Sequence, residues 1–209
     1  MRSRAVGRDE QARRKLAREA ARVMLEGGIH DYGVAKRKAQ ERMRAPAGTP
    51  LPSNQEIEDA VREHQRLFGG DEQSRRLSAL RETAAQAMRE LAPFKPRLVG
   101  PVLTGTADRH SAVSLHLFAE SPEEVGFSLM DRGIPHRNIE QRLRMSTGET
   151  ERVPGYAFFA GEVELELLVF SGKTRGHTPL SPVDGRAMQR ASLSEVECLI
   201  ALVERDQPG

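Results

Sequence analysis

Apolar residues recur at three- and four-residue steps up to Pro93 and alternate from Ser111 onward, and this one change of period limits the fold more than any other feature. A three-to-four step draws a stripe down one side of a helix, whereas strict alternation puts side chains on opposite faces of a strand. A helical first half followed by strands and interspersed helices implies an α+β fold: a helical N-terminal region and then a mixed sheet with flanking helices. With no Trp and 4% aromatic residues, the core has to be built from Leu, Val, Ala and Ile.

Local signals place the elements. Ala12, Leu16, Ala20, Val23 and Met24 form the stripe of a first helix that Gly27-Gly28 ends. A second helix is expected from Tyr32 to Met43 with Asp31 as its N-cap. Ala45 to Pro52, rich in proline, reads as a linker. Ser53 and Glu56 have the spacing of a capping box, opening a third helix that carries Ile57, Ala60, Val61 and Leu67. Gly69-Gly70 breaks it, and a fourth helix carries Leu77, Leu80, Ala84, Met88 and Leu91 until Pro93 and Pro96 stop it. Strands are expected at Ser111 to Phe118, His136 to Met145, Tyr156 to Ala160 and Glu162 to Phe170. Ser121-Pro122-Glu123-Glu124 opens a helix between the first two, ending near Gly133. Gly172 to Ala191 reads as a polar loop, and Ser192 with Glu195 opens the last helix. The expected division is a basic helical region, 1–70, and an α+β domain, 71–209.

The net charge of +2 hides an asymmetry. Residues 1–44 hold 13 Lys and Arg against 6 Asp and Glu, leaving 19 against 24 for the rest, so the two parts carry +7 and −5. A basic arm on an acidic body makes a nucleic acid a candidate partner, with Lys36, Arg37, Lys38 and Arg42 on the second helix as the candidate contacts. The single Cys198 allows no internal disulfide, which fits a reducing, cytoplasmic location. No apolar run approaches the roughly 20 residues of a bilayer span, so no membrane association is expected.

Residues 98–118, LVGPVLTGTADRHSAVSLHLF, resemble the nucleotidyltransferase superfamily, which includes polymerase β-like and small bacterial nucleotidyltransferases. In that family an apolar strand leads into a Gly-Ser turn, then a second small glycine element, then a strand bearing Asp-x-Asp. Leu98-Val99-Gly100 matches the strand and turn, with Pro101 where the family usually has Ser; Gly105-Thr106-Ala107 matches the second element. The resemblance makes Gly100, Pro101, Gly105 and Thr106 candidate nucleotide contacts. It also shows what is lost, because Ala112 and Ser114 stand where the aspartates belong. Two carboxylates at i and i+2 share a strand face and bridge two divalent ions, which clamp the phosphates and stabilise the attacking and leaving oxygens. Alanine offers no ligand, and a serine hydroxyl is a poor one for Mg²⁺. A third acid comes from a later strand in the family, and Glu164 or Glu166 is the candidate for it here. The resemblance therefore implies the fold and argues against the usual chemistry.

Other residues have candidate roles. His110 and His116 are expected on the strand face of the missing aspartates, as binders of an anion or of a softer metal, although no Cys or third His is spaced to complete a metal site. Ser171-Gly172-Lys173-Thr174 has half the pattern of a phosphate-binding loop, but Leu167 stands where the first glycine is needed. Lys173 and Arg175 remain candidate anion contacts in a loop that also carries His177, Arg186 and Arg190. The expected function is that of a degenerate, non-catalytic nucleotidyltransferase-like module that binds or regulates, with no cofactor. Two alternatives stand beside it. One is a divergent transferase using Glu164 or Glu166 with Mg²⁺, and the other is a nucleic-acid-associated protein acting through the basic arm. Candidate partners are a nucleotide, a nucleic acid or a second copy of the chain.

Overall fold

The computed structural model describes residues 2–46 and 48–205. Met1, Ala47 of the expected 45–52 linker and residues 206–209 of the expected second region lie outside it. The chain divides into two units. The first comprises Met1–Gln73, Asp108–His110 and Pro182–Asp184, and the second comprises Ser74–Ala107, Ser111–Ser181 and Gly185–Gly209.

The first unit is built on α1 (Arg2–Gly27), α2 (Tyr32–Met43) and α3 (Asn54–Phe68). Their apolar stripes meet in a core of Leu16, Ala17, Ala20, Val23, Ala35, Ala39, Ile57, Ala60 and Val61. The many alanines let the helices approach closely. Asp31 caps α2 by accepting the Val34 N–H at 2.7 Å. The Ser53–Glu56 capping box is complete, with Ser53 Oγ accepting the Glu56 N–H and Glu56 Oε2 accepting the Ser53 N–H. Tyr32 donates its hydroxyl to Glu58, a carboxylate only 6% exposed, at 2.7 Å. Burial and that carboxylate raise the phenol's pKa, so the hydroxyl stays protonated and the pair stays a hydrogen bond.

The glycine pair between α3 and α4 (Gly70–Glu90) acts as a turn, with Gly70 taking the left-handed conformation at φ +51°. In the second unit a short 3-10 turn (Ala92–Phe94) leads to β1 (Arg97–Val99), α5 (Gly100–Thr104), β2 (Val113–Phe118) and α6 (Pro122–Asp131). Then come β3 (Arg137–Arg144), β4 (Thr150–Ala160), β5 (Val163–Phe170), a second 3-10 turn (Gly172–Gly176) and α7 (Leu193–Arg205). The sheet order is β1-β2-β5-β4-β3, parallel only between β2 and β5, so the sheet is mixed and the fold α+β. One face carries Val113, Leu115, Leu117, Leu165, Leu167 and Val169 into the main core. There they meet Leu80, Ala84 and Met88 of α4, Val125 and Leu129 of α6, and Val196 of α7. Each fully buried Leu or Val contributes about 1.5–3 kcal/mol of transfer free energy, which makes this face the main anchor of the unit. No helix among the described residues is long and apolar enough to cross a membrane.

Several boundaries differ from the sequence reading. The strand expected from Ser111 begins at Val113. The one expected at Tyr156 begins at Thr150, because Thr150 to Pro154 pair with β3 across a hairpin closed by the Met145 N–H on Glu149 O at 2.8 Å. Pro154 is tolerated there because the β4–β5 ladder starts only at Gly155. Ser121 occupies the N-cap of α6 without a side-chain cap bond. The 172–191 stretch is tied down, by Leu180 N–H to Arg144 O, Ser146 N–H to Thr178 O, and a two-bond bridge between Leu98 and Ala191.

Candidate functional site

Because the odd-numbered residues of β2 and β5 enter the core, Ser114, His116, Phe118, Glu164, Glu166, Leu168 and Phe170 share the opposite face. The parallel register sets Ser114 beside Glu166, His116 beside Leu168 and Phe118 beside Phe170. On the other side of β2, Val99 pairs with Ser114 and Arg97 with His116. Gly100 follows directly, with φ +72°, and a Cβ built on it would lie 4.0 Å from Ser114 Oγ. Gly100, Ser114 and Glu166 are therefore neighbours, although 66 residues separate the first from the last. Ala112 lies just before β2, and one more step of the same register would set it beside Glu164.

Both acids of β5 are engaged. Arg137 of β3 donates to Glu164 at 2.6 Å, and Gln141 donates to Glu166 at 3.2 Å. The side chains reach across β4, where Ala157, paired with both Arg137 and Glu166, and the neighbouring Gly155 are small. Glu162 precedes β5 and is exposed. Among the described residues, no group of three or more His, Cys, Asp or Glu side chains is placed to hold a metal ion.

The second glycine element faces inward. The N–H groups of Gly105, Thr106 and Ala107 are all directed at the carbonyl of Pro101, at 2.9, 3.0 and 3.1 Å. Thr106 is buried, with its hydroxyl 3.1 Å from that of Thr104. Arg81 of α4, 7% exposed, holds α5 from behind through Nε on Val102 O at 3.2 Å and Nη2 on Leu103 O at 3.4 Å. Nothing in the sequence near Arg81 marks this role, because its partners are 21 and 22 residues away.

The two histidines separate. His110 lies outside β2, is exposed, and packs in the first unit against Gly28, where a Cβ would come within 2.8 Å of the imidazole. The expectation that it shares the β2 face is corrected, since the strand starts three residues later. His116 is on that face but is 2% exposed rather than open to solvent, because Arg190 covers it. Arg190 donates Nε to His116 Nδ1 at 3.1 Å and places its guanidinium 4.8 Å from the Phe170 ring centre and 5.3 Å from that of Phe118. Burial first, and then the Arg190 charge, push the imidazole pKa down to about 3, so the ring is neutral and accepts through Nδ1. Burial and the nearby Arg97 lower the Arg190 pKa.

The remaining candidates are dispersed. Lys173 and Arg175 lie exposed on the second 3-10 turn, with Arg175 paired to Glu120. On α2, Arg42 is within ion-pair distance of Glu19 and Glu26, whereas Lys36, Arg37 and Lys38 form no ion pair among the described residues. Arg14, Arg18 and Arg22 are also paired, with Glu10, Glu63 and Glu26, so part of the arm's positive charge is neutralised within its own unit. Arg97, Arg137 and Gln141 join the sheet face without having been singled out from the sequence. Alternation around Leu98 and Ile139 assigns each a side of its strand, but only the pairing register brings them to Ser114, Glu164 and Glu166.

No protein-family model, curated protein or solved structure matches the chain.

Proposed function

We propose that this chain is a catalytically degenerate nucleotidyltransferase-like protein that binds a nucleotide on the sheet face opposite the main core without transferring it. The observation that carries this reading is the register that sets Gly100, Ser114 and Glu166 side by side. By the resemblance, Gly100 stands at the turn glycine and Ser114 at the second aspartate, and Glu166, like Glu164, is a candidate for the third acid. A strand–turn–short helix–strand order with β1 antiparallel to β2 accompanies them.

The chemistry of the side chains argues against transfer. A metal pair on this face needs several anionic oxygens at fixed positions. Ala112 contributes none, Ser114 contributes a neutral hydroxyl, and Glu164 is held by the Arg137 guanidinium. Glu166 remains as one carboxylate, hydrogen-bonded to Gln141. The rest of the face suits binding: hydroxyl and amide groups at Ser114 and Gln141, and cationic side chains at Arg97 and Arg190.

Incubating the purified protein with each labelled nucleoside triphosphate and Mg²⁺ or Mn²⁺ tests the reading, alongside equilibrium binding of the same nucleotides. Binding with no product is the expected result. Transfer that disappears in Glu166→Gln would instead make the chain a working, divergent transferase. Absence of nucleotide binding altogether would remove the proposal.

A further inference from the structure

Arg190 is held on several sides. Three sides of its guanidinium are accounted for: Nε on His116, Nη2 enclosed without a hydrogen-bond partner, and the plane over Phe118 and Phe170. An enclosed N–H without an acceptor is rare, and here the ring faces offer it only a weak electrostatic one. The remaining nitrogen, Nη1, has no hydrogen-bond partner among the described residues and is not among the enclosed atoms. The group is thus clamped with one edge left over.

Its neighbours do not neutralise it. His116 must stay neutral to accept from Nε, so it brings no counter-charge. Arg97 stands opposite His116 in the β1–β2 pairing, on the same face, and forms no ion pair among the described residues. The bridge between Leu98 and Ala191 holds the two arginine-bearing segments together through a pair of 2.9 Å bonds. Glu195 lies in electrostatic reach of Arg97, and its Oε2 accepts the N–H and hydroxyl of Ser192, each at 2.6 Å. The two guanidiniums lie within electrostatic reach of each other, and neither forms an ion pair among the described residues. Such an arrangement costs free energy unless an anion is added.

We propose that Arg97 and Arg190 form a phosphate-binding site at the β1 side of this sheet face, with the clamped Arg190 as its fixed donor and Arg97 as its mobile one. Guanidinium forks match the several acceptor oxygens of a phosphate better than a single carboxylate, and pre-orientation by His116 and the two rings removes part of the entropic cost of binding. The proposal deepens the preceding one by naming where the phosphate end of a nucleotide sits. It rests on that reading for the face used and not for the nucleoside.

Calorimetric titration of the full chain with pyrophosphate at low ionic strength, with acetate as the control anion, tests it. Pyrophosphate should bind, and acetate should not compete at equal concentration. Arg190→Gln should weaken binding at least about tenfold, the loss of one charge-assisted contact. Arg190→Lys should also weaken it, because lysine keeps the charge but loses the fork and the stacking. Circular dichroism and melting curves show whether these variants fold. If Arg190→Gln does not, Arg97→Gln at the end of β1 takes its place, with a loss of several-fold expected. No pyrophosphate binding by the unmodified chain, or unchanged binding in a folded Arg190→Gln or Arg97→Gln protein, overturns the proposal. Pyrophosphate binding without any added affinity for nucleotides removes the nucleotide reading and leaves this site standing. Nucleotide binding that survives Arg190→Gln does the reverse.

Discussion

Arg190 donates Nε to His116 Nδ1 at 3.1 Å, across 74 residues of sequence, and the imidazole that accepts it is neutral. The imidazole pKa falls from 6.5 to about 3, through burial first and the Arg190 charge second, with Arg97 opposite His116 in the β1–β2 pairing and Arg137 farther along the same face, paired to Glu164. As pH drops, an unfolded chain takes up this proton near 6.5 and the folded chain does not. The associated stability is complete above about pH 6.5 and is lost as pH falls toward 3. Its slope is at most about 1.4 kcal/mol per pH unit for one proton. Replacing His116 by Gln, which retains an acceptor for Arg190, should flatten the melting temperature against pH between 6.5 and 4. Parallel pH profiles for the two proteins would show that His116 is protonated in the folded state.

Gly155 is the tightest point of the sheet. A Cβ there would overlap the carbonyl oxygen of Leu167 and crowd the Leu168 Cα on β5. Backbone cannot move aside as a flexible side chain does, so Gly155→Ala should force the β4–β5 ladder apart. A loss of more than about 2 kcal/mol is expected in urea unfolding. A loss below about 0.5 kcal/mol would mean that the two strands are not packed as described.

In the first unit, Ser53 caps α3 with both bonds of the capping box. Ser53→Ala should cost about 1 kcal/mol, within the usual 0.5–2, whereas Ser53→Gly should cost only a few tenths. The Glu56 carboxyl pKa is lowered chiefly by the Ser53 N–H, which Ser53→Ala keeps, and further by the Ser53 hydroxyl, which it removes, so only a small upward move of its titration is expected, read by carbon NMR of the labelled side chain. Stability of Ser53→Ala equal to that of the unmodified protein would mean that the hydroxyl contributes nothing.

Restoring the acidic pair tests how much of a metal site survives. Ala112→Asp together with Ser114→Asp would add carboxylates in line with Glu164 and Glu166. Without divalent ions the added charges should repel and lower the melting temperature. Millimolar Mg²⁺ should raise it by a few degrees, the size expected for a ligand well above its Kd in a chain of this length. The unmodified protein should show no such response. An identical Mg²⁺ response in both proteins would mean that these positions do not converge.

What the sequence by itself determined is local. The α1 stripe, the Asp31 cap and the capping boxes at Ser53–Glu56 and Ser192–Glu195 involve partners at most four residues apart. Their geometry follows from helix periodicity and hydrogen-bonding chemistry alone. The inward side of β2 and β5 was legible for the same reason, since alternation assigns faces without needing a partner. Only the tertiary structure decided which strands pair and in what register. That choice extended β4 back to Thr150, brought Arg137 and Gln141 to Glu164 and Glu166, and set Ser114 beside Glu166. It also determined His116, which alternation assigns to the face away from the main core but which Arg190 turns into a buried, neutral acceptor. Register and coverage depend on the free energy of closing loops of many tens of residues against contacts made only when the sheet is assembled, and no window of neighbouring residues contains that balance.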